Sequence, residues 1–242
     1  MPNTGKAEQV LITVLNLSLL QDWPSSYTIR WSFNGVSWFL SAILFCYFTT
    51  PALLNITKKK SDKISVSPGF ALIIRVGLEF IYTRSGGNIL HSNSPIICCS
   101  EYYIGITGYL LYDKLKSADT SLNTVTFSIA EAIIFCSTIA VQFISRTGSF
   151  WFRPLCVAFE LLLILIFAIG KGLFSKLLSL KPFILFSNYQ FEFYMFHVLI
   201  ITVVYKAAIP YYYAFITDFI LTMLTAYLYK KLAASTKKGE NL

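Results

Sequence analysis

The sequence predicts an all-α, polytopic transmembrane helix bundle of about eight membrane helices with both ends cytoplasmic, and three observations carry that prediction. The 242 residues are 55% hydrophobic and only 13% charged, with a mean hydropathy of +0.61; soluble domains carry about a quarter charged residues. The apolar residues gather into runs near the length of a bilayer crossing, separated by charge clusters and Gly, Pro, Ser and Asn. Finally, Lys and Arg are distributed unequally between alternate connections. At about 20 residues per crossing, eight crossings use roughly 160 residues and leave about 80 for connections. The chain is therefore expected to form one transmembrane domain, 1–242, with no room for an appended soluble domain.

The runs fall at 10–23, 36–54, 68–83, 96–112, 125–145, 151–169, 183–205 and 211–229. The first has a short apolar core that contains Asn16 and Ser18, so a shallow, poorly embedded helix is expected there. The start, MPNTGKAEQ, lacks the basic region, apolar stretch and cleavage site of a secretory signal, so the first membrane helix is expected to direct insertion. Lys58, Lys59, Lys60 and Lys63 crowd the connection after the second run and place it in the cytoplasm. Alternation then leaves six of the 20 cations, Arg30, Arg75, Arg84, Arg146, Arg153 and Lys206, outside or within spans. The remainder fall inside, which is the bias eight crossings require. The net charge of +8 and pI near 9.2 follow from the same bias, and no nucleic-acid partner is needed to explain them.

Cys46, Cys98, Cys99, Cys136 and Cys156 lie in apolar runs without CxxC spacing or a zinc-like histidine array, so they are read as small hydrophobes and no metal is expected. Ionisable residues at membrane depth are costly and tend to face a bundle interior or a wet cavity. Arg75 and Glu79 stand four apart and can neutralise each other. Arg153 and Glu160 are seven apart, share a face and each need a partner elsewhere. Counting along the spans places Trp38 near an outer end, Glu101 roughly 8 Å in, and His197, Glu79 and Glu160 nearer mid-depth. Glu101 precedes Gly105-Ile106-Thr107-Gly108, small residues that let a neighbouring helix approach. His91 reads as a solvated loop histidine among Ser and Asn, and His197 as a histidine deep in the seventh run.

The segment Ser187-Asn188-Tyr189-Gln190-Phe191-Glu192-Phe193-Tyr194-Met195-Phe196-His197-Val198 resembles the late-helix motif, roughly SFEFYLIH, of the acyltransferase 3 family of integral-membrane O-acyltransferases. Ser37-Trp38-Phe39-Leu40-Ser41, with Tyr47 and Pro51, is similar to the family's SWSLS…Y…P element, and Ser100-Glu101-Tyr102-Tyr103-Ile104-Gly105 to its EFxxG helix. Their order and spacing agree with the family over nearly the whole chain. The glutamates that often follow SWSLS are replaced here by Ala42, Ile43 and Leu44.

This resemblance implies transfer of an acyl group, commonly acetyl, from acyl-CoA to a hydroxyl of a cell-surface glycan or lipid-linked sugar at the bacterial inner membrane. Acyl-CoA would act as donor substrate, with no bound cofactor. It implies His197 as the catalytic candidate, with Trp38, Glu101, Tyr194 and Glu192 contacting substrate, and an internal cavity shared by Trp38, Glu101 and His197. The family normally opens with further helices bearing an arginine and a histidine, for which this chain has no counterpart before His91. The chain is therefore expected to be a truncated form, inactive alone. A transporter or flippase of a lipid-linked glycan is the alternative, with Pro154 as a possible helix break; a glycan polymerase would carry a longer, arginine-rich outer loop.

Overall fold

The computed structural model describes residues 5–59, 67–117, 123–146 and 151–239. Eleven α-helices and no strand occur among the described residues. Lys60 and Lys63 lie outside them.

Contacts divide the chain into two units, residues 1–30 with 38–178, and residues 31–37 with 179–242. The first contains α1 (Lys6–Leu17), α2 (Tyr27–Arg30), α3 (Trp38–Lys59), α4 (Pro68–Arg84), α5 (Pro95–Ser117), α6 (Thr124–Ser145), α7 (Phe152–Ile169) and α8 (Leu173–Leu178). α5 is its hub, packing against α3, α4 and α7, and α6 packs against α7 and α8. Ala71, Tyr103 and Ile104 form the core, flanked by Leu53, Leu72, Val157 and Leu161. A Cβ at Gly108 would come within 2.5 Å of Leu161 Cδ1, so the glycine lets α7 press onto α5. Gly105 faces open space.

Local chemistry sets several boundaries. Ser67 accepts a hydrogen bond from Phe70 N, and Pro68 opens α4 where no backbone donor is needed. Asn123 caps α6 through Thr126 N. Pro154 is the third residue of α7, where its missing N–H has no intrahelical partner to lose, so α7 runs unbroken to Gly170 at φ 72°. The break expected there for a transporter is absent from this helix. α1 spans only 12 residues, about 18 Å against a hydrocarbon core of roughly 30 Å.

Among the described residues, three helical segments, Trp38–Thr57, Thr124–Ser145 and Phe152–Ile169, are long and apolar enough to cross a membrane. Only about a fifth of their residues are buried, and large apolar side chains such as Phe48, Phe143 and Ile164 are exposed. Apolar helices with outward side chains need an apolar solvent, and a bilayer supplies one.

The second unit holds α9 (Lys181–Ser187), α10 (Gln190–Lys206) and α11 (Tyr211–Gly239), with α10 packed on α11. The run 183–205, read as one helix, is two. Pro182 lies in the first turn of α9, and past its end the Asn188 carbonyl accepts from Lys230 Nζ of α11. Asn34 Nδ2 donates to Met195 O at 3.0 Å, which ties residues 31–37 to this unit.

Candidate functional site

An ion network is built on α4, α5 and α7. Arg75 donates through Nη1 to Glu79 Oε2 at 2.7 Å and through Nε to Glu101 Oε1 at 2.8 Å. Arg153 Nε of α7 lies 3.8 Å from Glu79 Oε1, and its guanidinium sits over Tyr82, 5.3 Å from the ring centroid. Two cations face two carboxylates, so the network is neutral. Arg75 and Glu79 are buried, whereas the Glu101 side chain is 38% exposed. The local pair expected between Arg75 and Glu79 exists, but one guanidinium also holds Glu101. Its planar fork of five donors makes such sharing possible. Glu101 is thereby fixed in orientation while its free edge remains reachable.

A second polar group sits in the connections. His91 Nε2 lies 2.6 Å from the Asp22 carbonyl oxygen and 3.6 Å from Asp22 Oδ1. A carbonyl only accepts, so Nε2 carries the proton and Nδ1 of the neutral ring carries the lone pair. His91 is 5% exposed and Asp22 1%, which overturns the reading of His91 as a solvated loop residue. The loop folds back onto the turn after α1, a contact across 69 residues that neither sequence neighbourhood signals. Burial pushes the Asp22 carboxyl up to about 7, with Arg30 pulling the other way. Burial also lowers the His91 pKa; the Asp22 hydrogen bond opposes that shift and Arg30 adds to it.

Within the second unit, His197 Nδ1 lies 2.6 Å from Tyr194 O, one turn back, which leaves the Nε2 lone pair as an acceptor. Phe193 stacks on the imidazole at 6.3 Å between centroids and 5° between planes, and Tyr194 flanks it at 5.6 Å. Glu192 lies 3.8 Å from Lys230 Nζ, and that ammonium also sits over Tyr189. The proposed residues thus divide between units: Trp38 and Glu101 in the first, His197, Tyr194 and Glu192 in the second. Trp38 is the first residue of α3, half-buried and edge-on to Phe39.

Glu160 accepts from Gln142 Nε2 at 2.6 Å, an interhelix bond between α7 and α6. The sequence reading missed Asp22 and Glu131. Glu131 is fully buried in α6 and accepts from Phe174 N and Ser175 N, so it caps α8. A Cβ at Gly172 would overlap its carboxylate. A lone acidic residue in the run 125–145, followed across a connection by Gly170-Lys171-Gly172, was the available signal.

Residues 6–229 match the model of the acyltransferase 3 family, described as an acyltransferase domain. That span contains all three words on which the resemblance rested. No curated protein and no solved structure matches the chain.

Proposed function

We propose, from the premise that this chain belongs to the acyltransferase 3 family of membrane acyltransferases, that it moves an acyl group, commonly acetyl, from acyl-CoA to a hydroxyl of a cell-surface glycan or lipid-linked sugar. The observation that carries this reading is the family match, which extends across almost the whole chain. The ion network adds support, since it holds the glutamate of the EYYIG word, Glu101, with one edge exposed. The proposed setting is the bacterial cell membrane, with eight crossings, a cytoplasmic connection at 58–63 and a cytoplasmic carboxyl end.

His197 is the proposed base. Acyl transfer to a hydroxyl needs a group that accepts the hydroxyl proton as the oxygen attacks the thioester carbon; the carbon–sulfur bond then breaks, and CoA leaves as a thiolate that takes up that proton, a part an imidazole can play. Nδ1 is committed to Tyr194 O, so Nε2 is the nitrogen available to accept. Tyr194 and Glu192 are assigned to substrate contact in the second unit, and Trp38 and Glu101 in the first.

The test uses the whole gene product, with any in-frame sequence upstream of Met1 included, in a strain lacking its own polysaccharide acetylation. Ester-linked acetyl on the surface polysaccharide is the expected result, with His197→Gln reducing it a hundredfold or more. Absence of any acyl ester in a strain that inserts the protein would contradict the reading.

A further inference from the structure

The polar group around Asp22 is incomplete as it stands. Among the described residues, both Asp22 carboxylate oxygens, His91 Nδ1, Arg30 Nε and Ser41 Oγ are buried without a hydrogen-bond partner. Arg30 lies within electrostatic range of both Asp22 and His91. Ser41 is one turn before Phe45, the residue whose ring meets Trp23 at 5.0 Å, so it lies on the α3 face toward the Asp22 turn. Leaving such atoms unpaired costs on the order of 1–3 kcal/mol each. A group of this kind persists where something else completes it.

The chemistry of the orphans defines what completes them. Three are acceptors, the two carboxylate oxygens and Nδ1, while Arg30 Nε is a donor and Ser41 Oγ can be either. The occupant must therefore bring mainly O–H or N–H donors. Asp22 disfavours an anion and Arg30 disfavours a cation. No group of three or more metal-binding side chains occurs among the described residues. A neutral molecule carrying adjacent hydroxyls fits all of these demands. Next to Asp22, Trp23 is 43% exposed and offers an apolar ring face, the complement of the C–H face of a sugar. Asp22, Trp23 and His91 lie in connections, Arg30 closes α2 and Ser41 sits in the first turn of α3, so the group gathers where connections meet helix ends.

We propose that Asp22, His91 and Arg30, with Ser41 and Trp23 beside them, form a binding site for a neutral, hydroxyl-rich molecule of the sugar class. The Asp22 carboxylate and His91 Nδ1 accept from its hydroxyls, and Arg30 Nε donates to one of them. This deepens the acyl-transfer reading, resting on it only for the idea that the ligand is the acyl acceptor; the binding itself does not depend on it.

The experiment is saturation-transfer NMR on the purified protein in a detergent without a sugar headgroup, titrated with methyl glycosides of glucose, galactose, mannose and N-acetylglucosamine. Two variants keep the fold while changing the site. Asp22→Asn preserves shape but removes the charge. His91→Gln can still donate to the Asp22 carbonyl from its amide but lacks the Nδ1 lone pair. At least one glycoside should bind, and both variants should weaken it at least tenfold. Should one variant fail to fold, the other carries the comparison. Equal affinity in wild type and in a folded variant would overturn the proposal, as would the lack of binding by every glycoside. Glycoside binding without acyl ester formation in the cell would sustain the site and contradict the proposed function; ester formation with no glycoside binding would do the reverse.

Discussion

The two histidines of this chain are held by the same device in opposite surroundings. Each ring gives one nitrogen to a backbone carbonyl at 2.6 Å and keeps a lone pair on the other. For His197 the carbonyl is three residues away on the same helix, and the neighbours are aromatic rings. For His91 the carbonyl is 69 residues away, and the neighbours are a buried carboxyl and a guanidinium. A helix repeats its geometry every turn, so the His197 arrangement follows from local sequence. The His91 arrangement depends on where two connections meet. The same contrast extends to the units: the first buries a charged network, and in the second the pair Lys230–Glu192 has an ammonium side chain 45% exposed.

The largest effect that can break this contrast is in the buried network. Arg75→Met leaves Glu79, 1% exposed, facing only the more distant Arg153. Losing one partner of a buried pair costs about 3–5 kcal/mol, so we expect most folded protein to be lost in an unfolding assay in detergent. Glu101→Gln should cost about 1 kcal/mol in the same assay, because its carboxyl is partly exposed and an amide can still accept from Arg75.

Asp22 gives a pH-dependent effect of next size. Its carboxyl titrates near 7 in the fold and near 3.8 when free, so the folded state holds the proton that the unfolded state has lost. Its contribution to stability is therefore greatest below pH 4 and falls as pH rises toward 7, by about 1.4 kcal/mol per unit. The facing groups Arg30 and His91 remain in the variant, so the difference isolates Asp22. Asp22→Asn should gain on wild type steadily from pH 5 to 7 in urea or thermal unfolding; parallel curves would contradict the burial described here.

Between α5 and α7, Gly108→Val drives methyl groups into Leu161 and should cost about 1–3 kcal/mol, whereas Gly105→Ala meets open space and should stay within about 0.5 kcal/mol of wild type. The smallest effect is expected in the second unit, where Lys230→Met removes a half-exposed ion pair and should cost about 1 kcal/mol or less by thermal unfolding.

Much of the helical layout was legible because apolar runs and caps are local. The runs 68–83, 125–145 and 151–169 became α4, α6 and α7 with ends shifted by a residue at most. The run 183–205 was misread as one helix because its apolar composition is continuous, while α9 ends at Ser187 and α10 begins at Gln190, a break that apolar composition does not mark. In the candidate site, Glu101 and His197 stood out through their surrounding words and their depth. Arg75 was recognisable as a partner for Glu79 at i,i+4, but its bond to Glu101 depends on how α4 meets α5. Asp22 went unnoticed and His91 was read as solvated, since short polar connections carry no periodicity from which burial can be read.

Acyl transfer by this membrane protein is measured most directly as transfer of labelled acetyl from acetyl-CoA in membranes that carry the whole gene product. Label is expected in an alkali-labile ester on the glycan or lipid-linked sugar fraction, and is expected to be lost with His197→Gln while the variant still inserts. Label that never leaves acetyl-CoA in membranes containing the folded protein and the acceptor would contradict acyl transfer.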